Sequence, residues 1–114
     1  MNKDQLIYLD HILTCIDKIQ DYTLNVSKEK FLTKSLIQDG VIRNLEIIGE
    51  ATKHLDKEFR VKYPETEWKK IAGLRDKLIH DYIGVDLIAV WKVVDQIIPE
   101  FRLQILEILR AEKL

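Results

Sequence analysis

The chain has 114 residues, 46% of them hydrophobic and 32% charged, with a formal net charge of −1. That balance belongs to one folded globular domain, 1–114, and excludes both a disordered chain and a two-domain enzyme with a separate cofactor domain. Cys15 is the single cysteine, so no internal disulfide and no cysteine-based zinc site can form, as expected of a reduced, cytoplasmic protein. The near-neutral charge argues against coating a nucleic acid by bulk electrostatics. No apolar run approaches the roughly 20 residues of a membrane span, and the N-terminal residues lack the apolar stretch of a signal peptide.

Only two prolines and four glycines punctuate the sequence, and no stretch alternates apolar and polar residues for long, so long helices are expected. A first helix over about 3–24 follows from Leu6, Leu9, Leu13, Ile16 and Ile19, with Ile12 alongside. Asn2 and Gln5 stand in the two positions of a capping box. Ser27 suits the cap of a second helix running to about Leu55. Its wide apolar set (Leu36, Ile37, Val41, Ile42, Leu45, Ile47, Ile48, Ala51) predicts a central helix touching two neighbours. Gly49 inside it costs about 1 kcal/mol relative to alanine, which close helix–helix approach would explain.

Pro64 closes the next connection, and Thr66 can cap a third helix running to about Tyr82, with Gly84 just past its end. Asp86 caps a fourth, in which Val85 and Val90 are placed for a hydrophobic staple. This helix carries Leu87, Trp91, Val94 and Ile98. Pro99 should kink or split it, because proline lacks an amide donor and clashes with the preceding turn. A last segment over about 100–112 presents Phe101, Ile105, Leu106, Ile108 and Leu109. The fold expected is an all-α antiparallel four-helix bundle with a kinked or split C-terminal helix at Pro99.

The chemistry concentrates in residues 74–82. On a continuous third helix, Trp68, Ile71, Ala72, Ile79 and Tyr82 form an apolar stripe with Arg75 in its middle. A guanidinium there needs a partner. One reading is an ion pair inside the bundle with Glu50 of the second helix. The other is a stripe that opens into a cleft, where Arg75 meets an anion such as phosphate. His80 lies five positions on, about 140° around a straight helix. The two side chains converge only if the helix end loosens, the arginine reaches around, or a second subunit contributes. A histidine near a helix C-terminus gains from the macrodipole when protonated. Residues 57–77 carry seven basic and four acidic groups, either a solvated face or a small phosphate-attracting patch. His11 and His54 have no partners at metal-ligand spacing, and no glycine-rich phosphate loop or nucleophile elbow is present. No metal and no cofactor is expected.

Arg75-x4-His80-x-Tyr82 resembles the signature of HEPN-domain ribonucleases, in particular of the HepT-like toxins. The ordered set around it strengthens the likeness. Residues 38–51 resemble the family's second helix. Trp68, the 71–76 run, the 80–82 run, Val85-Asp86-Leu87 and Trp91 follow in family order. Gly40 departs from the alanine common there, and Asp76 from a neutral polar residue.

The resemblance implies metal-independent cleavage of RNA (tRNA or mRNA), in which the ribose 2′-OH attacks the adjacent phosphate and leaves a cyclic phosphate. His80 would be the general acid–base, with a pKa naturally near working pH. Arg75 would stabilise the non-bridging oxygens. Lys69, Lys70 and Lys77 would attract RNA, and Asp76 and Glu50 would be supporting residues. The family works as a homodimer with both Arg/His pairs facing one cleft. A nucleotidyltransferase antitoxin would transfer AMP to Tyr82, filling the site with negative charge and bulk. Two other readings remain at this point. One is a non-catalytic helical partner of the nucleotidyltransferase, presenting nucleotide or substrate. The other is a structural dimer with Arg75 paired to Glu50, where Arg75→Ala would cost roughly 3–5 kcal/mol if the pair is buried.

Overall fold

The computed structural model describes residues 3–80 and 84–113, with side chains described from Gln5 to Leu78 and from Gly84 to Lys113. In chain order the elements are α1 (Lys3–Tyr22), α2 (Lys28–Phe31), α3 (Ser35–Lys53), α4 (Lys57–Lys62), α5 (Trp68–Ala72) and α6 (Leu74–Leu78). Two short strands follow, β1 (Ile79–His80) and β2 (Gly84–Val85), then α7 (Leu87–Lys92), a π-helical turn over Val93–Ile97, and α8 (Ile98–Glu112). The architecture is an all-α bundle of four arms: α1, α3, the α5–α6 pair, and the run from α7 to α8. α1 packs on α3 and α8, and α3 also packs on α5 and α6. α3 is therefore central, as its wide apolar girth predicts.

The core is built from one face of each arm. Leu9, Ile12, Ile16 and Ile19 of α1 are fully buried against Val41, Leu45 and Ile48 of α3, with Ile98, Phe101 and Ile105 of α8 completing the set. Cys15 belongs to this core, and burial raises its thiol pKa, so it stays a protonated apolar filler. Leu36, expected within the apolar face of α3, is instead 85% exposed.

The long second helix expected from Ser27 to Leu55 is divided. Ser27 does cap α2, its hydroxyl accepting from the Lys30 amide at 3.1 Å. The helix then breaks at Leu32–Lys34 without a glycine or proline. The break lets Phe31 turn inward, where it is fully buried and 5.3 Å from the Trp91 ring. The Phe31 carbonyl accepts from the Lys34 amide at 3.3 Å and from Gln38 Nε2 at 2.8 Å, which relieves the cost of the interruption.

The capping box expected of Asn2 and Gln5 turns on Asn2, which lies outside the described residues. The Gln5 side chain is 3% exposed and accepts from the Asp56 amide at 2.9 Å, so α1 braces the start of α4. α4 is an element the sequence reading missed. Tyr63, at the end of α4, and Lys62 both donate to Glu112 on α8, the lysine at 2.7 Å.

Ahead of Pro99 the helical path widens before it resumes. The Ile98 amide donates to the Val93 carbonyl, five residues back, and Pro99 sits in the first turn of α8, where no amide is needed. The split expected at Pro99 thus takes the form of a π-helical turn just before it.

Candidate active site

The site begins with an interruption at Gly73. α5 ends there, and α6 starts at the next residue. This turns the buried stripe. Trp68, Ile71 and Ala72 face the core on α5, but on α6 the buried residues are Leu74 and Leu78, 1% and 3% exposed. The stripe has rotated by roughly 90° relative to a continuous wheel. Arg75, which a continuous helix would point inward, is carried outward, with its side chain 55% exposed.

Its partner is not Glu50. Arg75 Nε lies 3.4 Å from Glu46 Oε2 on α3, one turn before Glu50, and Nη1 lies 3.7 Å from Asp76 Oδ1. Glu50 instead faces His54 at 3.7 Å on the solvent side of α3. The two glutamates lie four residues apart on one helix, so sequence alone could not choose between them. The buried ion pair of the structural-dimer reading is replaced by a half-exposed one. Beneath the Glu46–Arg75 pair is a shallow apolar crevice lined by Ile42, Leu45, Leu78 and Val90.

The third helix does not reach Tyr82. It ends at Leu78, and the chain becomes extended at Ile79 and His80. β1 pairs antiparallel with β2, with Ile79 opposite Val85 and His80 opposite Gly84. Gly84 has φ +100°, a conformation other residues rarely adopt, so its role is in this pairing and not as a helix cap. The Asp86 amide then donates to the Leu78 carbonyl at 3.1 Å, and the Asp86 side chain caps α7 through the Ala89 amide at 3.0 Å. The ends of α6 and α7 are thereby tied together, with the His80 backbone held between them.

The 140° separation of Arg75 and His80 held for a straight helix, and the helix stops two residues before His80. The His80 side chain and all of Asp81, Tyr82 and Ile83 lie outside the described residues, so the proposed acceptor Tyr82 does too. Of the supporting basic groups, Lys69 and Lys77 are exposed. Lys70 is 3.5 Å from Glu67 and lines a separate depression with Glu65, Glu100 and Phe101. The structure therefore gathers Arg75, Asp76 and Glu46, and separates Lys70 and Glu50 from them.

A family model described as ribonuclease HepT-like matches residues 12–108. The chain is 49% identical over 109 residues to a protein of Methanocaldococcus jannaschii named as a gamma-glutamylcyclotransferase and candidate RNase, covering 96% of this chain but 49% of that relative. A candidate RNase of Caldanaerobacter subterraneus is 44% identical, with 93% and 95% of the two chains covered. A "probable ribonuclease HepT" of Thermococcus cleftensis is 41% identical, with 90% and 93% covered. The chain thus spans about half of the first relative's length and nearly all of the other two. No solved structure matches it significantly.

Proposed function

This chain belongs to the HepT-like ribonuclease family, and on that premise we propose that it is a metal-independent endoribonuclease, the toxin of a toxin–antitoxin pair. The observation that carries the reading is the placement of Arg75. A guanidinium at a half-exposed position, on the short helix that leads into the extended segment carrying His80, can reach an RNA phosphate without leaving a buried charge behind. Arg75 stabilises the non-bridging oxygens as the 2′-OH attacks the phosphate and the bond to the 5′-oxygen of the next nucleotide breaks, that oxygen leaving as a hydroxyl. His80 transfers the protons, with RNA drawn in by Lys69 and Lys77.

The working form is a cytoplasmic homodimer. Among the described residues, Leu36, Ile37 and Gly40 of α3 form an open groove of about 620 Å³ with Tyr22, rimmed by the unpaired Asp39 and Arg43. In a two-fold antiparallel pairing of this helix, Asp39 of one copy lies opposite Arg43 of the other. The same face of α3 continues to Glu46, so the pairing brings two Arg75 residues towards one cleft. A nucleotidyltransferase antitoxin silences the site by moving AMP from ATP onto the Tyr82 phenol with release of pyrophosphate, adding negative charge that repels RNA. No helix among the described residues is long and apolar enough to cross a membrane.

Two carboxylates beside Arg75 favour a second reading, in which the chain is a non-catalytic partner that presents nucleotide or substrate to the nucleotidyltransferase. Expression in growing cells tests the first reading. Wild type arrests growth, whereas soluble, folded Arg75→Ala and His80→Ala do not. Co-expression of the nucleotidyltransferase restores growth and adds whole AMP units to the peptide containing Tyr82. Arrest by both variants would sink the ribonuclease mechanism. An unmodified Tyr82 in rescued cells would sink the proposed silencing.

A further inference from the structure

Two carboxylates contact the Arg75 guanidinium, and they are not equivalent. Glu46 Oε2 faces Nε at 3.4 Å and Asp76 Oδ1 faces Nη1 at 3.7 Å, both at ion-pair distance. Asp76 is the next residue along the chain, and its side chain is 73% exposed. It moves with Arg75 and cannot fix the guanidinium relative to the fold. Glu46 projects from α3, a 19-residue helix, and its neighbour Leu45 is buried at 2% exposure. Its own side chain is 35% exposed. α6 has only five residues and runs into an extended strand, so Arg75 has little local bracing.

The fork geometry gives the two contacts different fates. A guanidinium offers a phosphate two paired edges, Nε with Nη2 and Nη1 with Nη2. Each edge has one nitrogen facing a carboxylate. Binding by the Nη1/Nη2 edge displaces only the exposed Asp76 and leaves Nε facing Glu46.

We propose that Glu46 is a positioning residue for Arg75, tethering Nε to α3 so that the Nη1/Nη2 edge is presented to the phosphate of a bound RNA. The proposal rests on the reading of Arg75 as the phosphate-stabilising group. Glu46 trades some ground-state attraction of RNA, through its negative charge, for orientation of the cation that stabilises the crowded phosphorane.

Initial rates on total tRNA over a concentration series provide the first test. Glu46→Ala is expected to lower kcat by about tenfold with KM no higher, because orientation is lost and a repelling charge is removed. Glu46→Gln, which keeps an oxygen facing Nε without the charge, recovers most of kcat and lowers KM. A higher KM at unchanged kcat in Glu46→Ala would overturn the proposal, as would a Glu46→Gln as slow as Glu46→Ala. A second test needs no activity. The Arg75 Nε–Hε resonance should be distinct in wild type and Glu46→Gln, collapse to the position of free arginines in Glu46→Ala, and survive in Asp76→Ala. An unchanged resonance in Glu46→Ala would exclude the tether whatever the rates show. If wild type cleaves no tRNA, the ribonuclease reading is what fails, and the resonance still decides the role of Glu46.

Discussion

Gly49 lies directly against the end of α5: a Cβ added to it would stand 3.4 Å from the Ala72 carbonyl oxygen and 3.5 Å from that of Ile71. This close approach sets the spacing between α3 and the α5–α6 arm that carries Arg75. At 3.4 Å a methyl group makes ordinary contact, and alanine gains up to about 1 kcal/mol of helix propensity over glycine. Gly49→Ala should therefore hold or raise the Tm. Gly49→Leu should lower it, because the larger side chain has to push α5 away. Equal Tm values for the two variants would show that the approach is not tight.

Arg75→Ala separates a structural arginine from a functional one. The pair with Glu46 is half exposed, so its loss should change unfolding free energy by less than about 1 kcal/mol, measured in urea. The same variant should lose RNA cleavage. A loss of several kcal/mol would restore the structural reading that a buried pair implied.

The contact of Glu112 with Lys62 and Tyr63 gives the fold a pH signature. The Lys62 ammonium first, and the Tyr63 hydroxyl second, hold the Glu112 carboxyl below its usual 4.5. A lowered carboxylate stabilises the fold above its ordinary pKa, and that contribution is lost as the pH falls through its lowered value. Burial first, then the bond to Glu112, push Tyr63 up to about 12. That contribution is present below the ordinary 10 and is lost as the pH climbs towards about 12. Glu112→Gln should flatten the acid limb and only weaken the alkaline one, because the burial that raises Tyr63 first remains. A variant profile parallel to wild type would show that the cluster contributes nothing.

Asp86→Ala removes the cap of α7 beside the site and should cost about 1 kcal/mol. Gly84→Ala meets no atom within 4 Å, so any loss comes from forcing φ +100° on a residue with a Cβ. Thermal unfolding measures both effects, and a Gly84→Ala as stable as wild type would show that the pairing of His80 with Gly84 adapts freely.

Much of the fold was legible in the sequence because its signals are local. The Ser27 and Asp86 caps, the apolar period of α1, the wide girth of α3 and the tight spot at Gly49 each follow from a few neighbouring residues. The features that escaped depend on distant partners. Nothing in Phe31-Leu32-Thr33-Lys34 marks a break, which is set by Phe31 reaching Trp91, 60 positions away. α4 is anchored by Gln5 and Glu112 from opposite ends of the chain. In the site, the motif spacing placed Arg75 and His80 on one short segment. The rotation at Gly73 and the end of the helix at Leu78 decide how they face, and helical periodicity assumes that neither occurs. Glu46 and Glu50 stand one turn apart on α3, and helical spacing alone does not choose between them.

The central claim is that this chain by itself cuts RNA with Arg75 and His80. Its most direct test is incubation of the pure protein, with its mass showing Tyr82 unmodified, with total tRNA and mRNA in EDTA, beside His80→Ala. Cleavage by wild type alone, leaving cyclic-phosphate ends, is the predicted result. Equal cleavage by His80→Ala, or intact RNA with both proteins, would contradict it.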